Sequence, residues 1–240
     1  MLQGLSLATS GLMADEEWES VLSGDLANVD TPGFKSEMAI LGSEGAQGLT
    51  DTAGGQGIGQ TSVGAGLFET VPNLAEGTLQ ETGDPLNVAL EGPGFMSVQT
   101  PQGIRYTRDG ALSVDAGGEL VTAGGNPVLG TGGRPIQAGP DAAIEANGQV
   151  TSGGRVVGQI ALFAPALGQI TDVGQGLFQA RGAVPIDRTT RLVPGALEGS
   201  NVDAVQALSS LIQVQTQFDA GQNLVKDLSG TTATFIQAAG

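Results

Sequence analysis

Asp109, Asp115 and Glu119 are the residues whose spacing could do acid–base chemistry. Two carboxyl groups facing each other across a cleft, one protonated and one ionised, hydrolyse glycosidic bonds. All three fall in glycine-punctuated stretches, where Asp is favoured for backbone reasons, so a turn-forming role outweighs a catalytic one. The run "GGQGIGQTSVGAG", residues 54–66, has the glycine density of a phosphate-cradling loop. It lacks the Lys-Ser/Thr step, follows no clear strand and opens no helix, so nucleotide binding is not expected. Asp141 and Glu145 could attract calcium, but the alternating ligand spacing of a calcium loop is missing. The chain has no histidine and no cysteine. That removes the usual general base, the usual metal ligand, every Ser-His-Asp arrangement, thiolate chemistry and disulfides. The expectation is a protein that is not an enzyme and uses no metal or cofactor.

The elements that would position any such residues must be built from an unusual composition. A length of 240 residues suits one large domain or two modest ones. Glycine supplies 40 of them and aromatics only 4%, so the core must be aliphatic, turn-rich and lightly packed. There are 25 acids against nine bases, a formal net charge of -16. A field of that sign repels phosphate backbones and anionic bilayers, so neither nucleic acid nor a membrane surface is an expected partner. No apolar run reaches the 18 residues of a spanning helix. The stretch "MLQGLSLATSGLMADEEW" has no basic n-region, so export, if it occurs, is expected to use a route that reads no cleavable signal.

The N-terminal segment carries a seven-residue rhythm in Leu5, Ala8, Leu12, Leu22, Leu26 and Val29, with Asp15 and Glu19 on the two positions between and Trp18 and Val21 widening the stripe. A helix is expected over about residues 3–28. It stops at "ANVDTPGFK", where Pro32 pushes Thr31 out of helical geometry and Pro32-Gly33 suit the central positions of a type II turn. Residues 42–66 hold nine glycines and no periodicity, and read as irregular. From residue 67 to about 190, strand-like runs alternate with glycine turns, and Asn147-Gly148 reads as a primed hairpin turn. A sandwich or barrel is expected there. Helical rhythm returns after Ser200, which with Asp203 forms a capping-box pattern. The stripe Ala204, Leu208, Leu211, Gln215, Phe218, Gln222, Val225, Ser229 and Thr232, broadened by Val205, Ile212, Leu228 and Phe235, is diluted by glutamine, and Gly221 weakens it, so this helix needs a partner. The expected fold is α+β: a central antiparallel β-domain at 67–197, a Gly-rich linker at 36–66, and residues 1–35 with 198–240 forming a discontinuous helical domain. Its two helices are expected to pair as a coiled-coil-like base.

The stretch "LANVDTPGFK" closely resembles a signature near the N-terminus of bacterial flagellar axial proteins, the rod and hook subunits. That family usually has an Asn-Asn pair where Gly24 and Asp25 stand here. Residues 86–130 resemble its central block, including Tyr106 to Gly110, with Gly92-Pro93-Gly94-Phe95-Met96 in place of the commoner Gly-Asp-Gly-Phe-Phe. Residues 197–225 resemble its C-terminal block, with Phe218 where Tyr is usual. "VLGTGGRPI", residues 128–136, looks most like the proximal rod type, the distal type next. The resemblance implies a structural subunit of the flagellar basal body. It would leave through the flagellar type III export apparatus and polymerise, with itself and with other rod and hook subunits, into the drive shaft. Leu5, Leu12, Leu22, Leu26, Val29, Leu208, Leu211, Phe218 and Val225 would then form the assembly interface, and Asn28, Thr31, Pro32, Gly33 and Phe34 the turn motif. The alternative is a secreted carbohydrate-binding or adhesive β-protein.

Overall fold

A computed structural model describes residues 2–50, 57–164, 169–180 and 190–239, with side chains over 7–40, 69–164, 169–180, 190–227 and 229–231. The element order is α1 (Leu2–Ala27), β1 (Glu37–Thr50), β2 (Gly57–Pro72), β3 (Leu79–Glu81), β4 (Val88–Glu91), β5 (Phe95–Thr100), β6 (Gly103–Thr107), β7 (Leu112–Val114) and β8 (Leu120–Thr122). It continues with β9 (Ala143–Ile144), β10 (Gln149–Ser152), β11 (Arg155–Gln159), β12 (Leu162–Phe163), β13 (Ile170–Asp172), β14 (Leu177–Ala180), β15 (Arg191–Pro194), β16 (Ala196–Glu198) and α2 (Ala204–Ala239). The class is α+β, with antiparallel strand pairs between two terminal helices. The chain forms two compact units. One takes in Met1–Leu26, Glu37–Thr70 and Ala204–Gly240; the other takes in Ala27–Ser36 and Val71–Asp203.

The first unit holds both helices and the two-stranded sheet β1-β2. That sheet corrects the reading of residues 42–66 as irregular. Main-chain hydrogen bonds make a ladder whatever the side chains, while glycine erases the alternation by which a strand is recognised in sequence. Residues 51–56 of that stretch lie outside the described residues. Within the unit, Gln215 Nε2 donates to Glu19 Oε1 at 3.1 Å. A Cβ added to Gly221 would come within 2.7 Å of Leu12 Cδ2, so this glycine lets a leucine of α1 approach the backbone of α2. The buried line on α2 is Ala207 and Val214, flanked by half-buried Leu211, Phe218 and Val225. Leu208, assigned to the stripe from sequence, is instead 48% exposed, alongside Val205 and Ile212. The sequence pattern predicts steps in the order four-three; the helix packs in the order three-four, so its line of contact passes through Ala207 and Val214. The start of α2 also differs from the capping-box reading. Ser200 Oγ accepts from Val202 N–H at 3.2 Å, a local turn, and the helix begins at Ala204, one residue after Asp203.

Among the described residues, the second unit is built from several small sheets rather than one sandwich or a closed barrel. Its largest sheet has the order β12-β5-β6-β14-β13, its next β11-β10-β9, and β15-β4, β16-β3 and β7-β8 are pairs. Single bridges such as Val98–Val128, Val121–Pro127 and Gly130–Ile160 stitch them together. One aliphatic core serves these small sheets, built on Val88, Leu90, Met96, Val98, Leu120, Val128, Ile136, Val150, Ile160 and Leu192. Phe95 and Phe178 form a second cluster with Ile170, their rings edge-to-face at 5.3 Å. Glycine turns, rather than long strands, reverse the chain. At β9–β10 the turn departs from the primed type. Gly148 has φ of 81° and Asn147 is not in the left-handed region, whereas a type I′ turn needs both there. Instead Gly148 N–H donates to Glu145 O at 2.8 Å, and Asn147 Oδ1 accepts from Gln149 N–H at 2.8 Å. The asparagine side chain thus satisfies the amide two residues on, an Asx turn.

Candidate functional site

The turn after α1 is built from its own residues. Asn28 O accepts from Thr31 N–H at 3.1 Å, Thr31 Oγ1 donates to Asn28 Oδ1 at 3.1 Å, and Thr31 O accepts from Phe34 N–H at 3.3 Å. Gly33 has φ of 69°, a conformation only glycine adopts without penalty. A Cβ there would also collide with the main chain of Arg108 and Asp109. Gly33 therefore does more than set an exit angle for the helix: it lets the turn lie flat against the β-body.

Immediately after the turn, Lys35 enters the body and is fully buried. Its Nζ donates to Glu198 Oε1 and to Ala75 O, both at 2.6 Å. The other carboxylate oxygen of Glu198 accepts from Arg108 Nε at 2.7 Å. The rest of the Arg108 guanidinium donates to Gly92 O, Gly94 O and Leu90 O at 2.8–2.9 Å, and its centre lies 5.5 Å from the Phe95 ring centroid. Gly77 N–H adds a bond to Glu198 Oε1 at 2.9 Å, and Gly33 N–H donates to Glu198 O at 2.7 Å. Burial pushes the Lys35 ammonium below its ordinary value, the bond to Glu198 pulls it back, and the nearby Arg108 charge adds to the lowering. The group is a buried, fully hydrogen-bonded latch that joins residues 35, 108 and 198. Removing the carboxylate that both cations share leaves uncompensated buried charge, which typically destabilises by about 3–5 kcal/mol.

Asn201 completes the latch. Its Oδ1 accepts from Ser36 N–H at 2.7 Å, and its Nδ2 donates to Asn73 O and Ala75 O at 2.8 and 2.9 Å. Asn73 N–H in turn donates to Ser36 O at 2.7 Å. Ser36, Asn73 and Asn201 each stand within three residues of a boundary between the two units. One amide side chain thus ties three passing segments of chain. In the first unit, Asp25 is almost fully buried and its Oδ1 accepts from Glu37 N–H at 3.1 Å, at the start of β1. Burial raises its carboxyl above the usual value, and the Glu37 amide partly offsets that.

Of the residues assigned to an assembly interface, Leu12, Leu22, Leu26, Val29, Leu211, Phe218 and Val225 are half-buried, Leu208 is exposed, and the side chain of Leu5 lies outside the described residues. In the turn motif, Asn28, Thr31 and Pro32 are half-buried, while Gly33 and Phe34 are buried. The carboxylates that suggested chemistry accept ordinary hydrogen bonds, Asp109 and Asp115 within their own turns, Glu119 and Asp141 from segments further along the chain. Asp109 accepts from Ala111 N–H, Asp115 from Glu119 N–H, Glu119 from Gln137 Nε2, and Asp141 from Ser152 Oγ and Gly153 N–H. Among the described residues no three acidic side chains converge as a metal site. A pocket of about 490 Å³ beside Asp115 is lined by Leu86, Val114, Ala116, Gly118, Ala138 and Pro140, without the aromatic platform on which a sugar ring stacks. Sequence reasoning missed Lys35, Glu198 and Asn201 as a set. The available signal was that Lys35, one of two lysines in the chain, follows the turn directly.

Residues 89–156 match the model of the flagellar hook protein FlgE/F/G D1 domain, and residues 193–237 match the flagellar basal body rod FlgEFG protein C-terminal region. The first contains Arg108, and the second contains Glu198 and Asn201. The flagellar basal-body rod protein FlgF of Mesorhizobium japonicum is 32% identical over 100% of this chain and 99% of its own. The chain belongs to the flagellar basal-body rod protein family. Similarity extends to FlgF of Escherichia coli, 30% identical over 88% of this chain and 87% of its own, and to the rod protein FlgG of Buchnera aphidicola, 31% identical over 91% and 93%. The family is structural, and the latch described above has the character of a structural device: every charge in it is spent on another group of the same chain.

Proposed function

We propose that the chain is an axial structural subunit of the flagellar basal-body rod, located in the basal body. It leaves through the flagellar type III export apparatus and polymerises, with itself and with neighbouring rod and hook subunits, into the drive shaft. The end-to-end similarity to named rod proteins carries this reading. In the assembled rod, α1 and α2 act as a coiled-coil-like base whose stripes, through Leu12, Leu22, Leu26, Leu211, Phe218 and Val225, pack in register. An α2 face already half-buried within one chain, with Val205, Leu208 and Ile212 still exposed, supports a second layer of packing against a neighbour. A net charge of -16 disfavours nucleic acid, and no described helix is long and apolar enough to cross a membrane.

The test is electron microscopy of isolated basal bodies carrying a labelled subunit, with wild type beside Leu208→Glu. The label is expected in the rod, and Leu208→Glu is expected to be folded, exported and absent from rods. A label found only outside the basal body would overturn the reading.

A further inference from the structure

We propose that β16, with Glu198, is a strap that closes last on the β-body, over a cationic receptor assembled by residues 33–108. Every group that holds the Glu198 carboxylate comes from earlier in the chain: Lys35 Nζ, Gly77 N–H and Arg108 Nε. Both cations have further anchors that do not need Glu198. Arg108 is gripped by the carbonyls of Leu90, Gly92 and Gly94, and Lys35 by that of Ala75. The receptor is therefore shaped before the carboxylate enters it.

The strap itself brings little apolar surface. The aliphatic core ends in sequence at Leu192, and of the three β16 residues only Ala196 is a buried hydrophobe. Its pairing partner β3 is exposed along its whole length. Hydrophobic burial, which drives collapse, needs little from β16, whose one buried hydrophobe is Ala196. The strap docks through main-chain bonds to β3, the Gly33 N–H bond to Glu198 O, and the carboxylate. Synthesis runs from the N-terminus, and residues 33–108 precede residue 198, so the order of closure also follows the order in which the chain appears. A chain whose C-terminal segment is still held elsewhere keeps a formed core beneath an open latch.

Two measurements on the full chain test this. In native-state hydrogen exchange of the wild type, the Gly33 and Gly77 amides, which donate to Glu198, should exchange at least about tenfold faster than the β5–β6 amides, through an opening that leaves those strands protected. In stopped-flow folding, Glu198→Gln should speed unfolding by roughly 100-fold or more and change the refolding rate by less than about threefold. If Glu198→Gln does not fold, Glu198→Asp, which keeps the charge at shorter reach, should show the same partition with a smaller total. Gly33 and Gly77 amides that exchange only with global unfolding, or a substitution that acts mainly on the refolding rate, would overturn the proposal.

Discussion

At the scale of single residues, the body of this rod protein depends on positions where a side chain is absent or a charge is enclosed. Gly33 combines a left-handed backbone with main-chain contact against Arg108 and Asp109. Gly33→Ala should therefore lower the stability of the β-body by roughly 2–4 kcal/mol, from backbone strain and overpacking together. A urea titration monitored by near-ultraviolet circular dichroism reads this, and an unchanged midpoint would contradict it. The latch makes a sharper comparison. Lys35→Met leaves Glu198 paired with Arg108, and Ala75 O keeps its bond from Asn201 Nδ2. Glu198→Gln leaves two buried cations facing a neutral group. Lys35→Met should then cost less than half of the about 3–5 kcal/mol expected for the loss of a buried partner in Glu198→Gln. Equal losses in chemical denaturation would mean that the lysine, not the carboxylate, is the keystone.

At the scale of elements, α2 would be marginal by itself, with the small residues Ala207 and Gly221 on its packed side. Its stability comes from packing, and Gly221 has a place in that packing because Leu12 fills the space above it. Gly221→Leu should raise the intrinsic helix propensity of the segment yet weaken the α1–α2 contact by roughly 1–3 kcal/mol. Circular dichroism of the isolated α2 peptide should show more helix, while the full chain should lose helix at a lower temperature than wild type. A rise in that temperature would show that Leu12 moves aside without loss.

At the scale of the whole molecule, the excess of acids governs the response to pH. Burial raises the carboxyls of Asp25, Asp109 and Asp172 above the ordinary value of 3.8, each partly offset by backbone amides. A carboxyl whose value is raised on folding binds more protons folded than unfolded in the window between the two values. Its contribution to stability is present in full below 3.8 and is lost as pH rises through the folded value. Asp141, held low by Ser152 and the Gly153 amide, acts the other way, and only below 3.8. The melting temperature should therefore rise as pH falls from neutrality toward 3.8, the same direction in which the repulsion of a -16 chain is relieved. Asp25→Asn keeps an acceptor for Glu37 N–H and removes one of these carboxyls, so it should raise the melting temperature at pH 7 and flatten the dependence. A wild-type melting temperature that falls steadily as pH drops from neutrality toward 3.8 would refute this account.

The terminal helices, the break at Pro32-Gly33 and the strand-and-turn character of the middle were legible in sequence because each depends on local chemistry. Apolar spacing marks the helices, proline and glycine mark the break, and alternating runs between glycines mark the strands. A chain without histidine or cysteine also lacks the side chains on which the commonest catalytic and metal sites are built. Three blocks of familiar residues pointed to the family. What the sequence left open was whatever depends on distance in space. Strands β1 and β2 went unseen because glycine carries no alternation. The packed line of α2 was placed one step out of phase, through Leu208 rather than Ala207 and Val214, because the diluted stripe allows both phases and only the partner helix chooses. Lys35, Arg108 and Glu198 are separated by dozens of residues and each reads alone as an ordinary surface charge. Only the tertiary structure brings them within hydrogen-bond reach, where the exclusion of water makes their pairing obligatory.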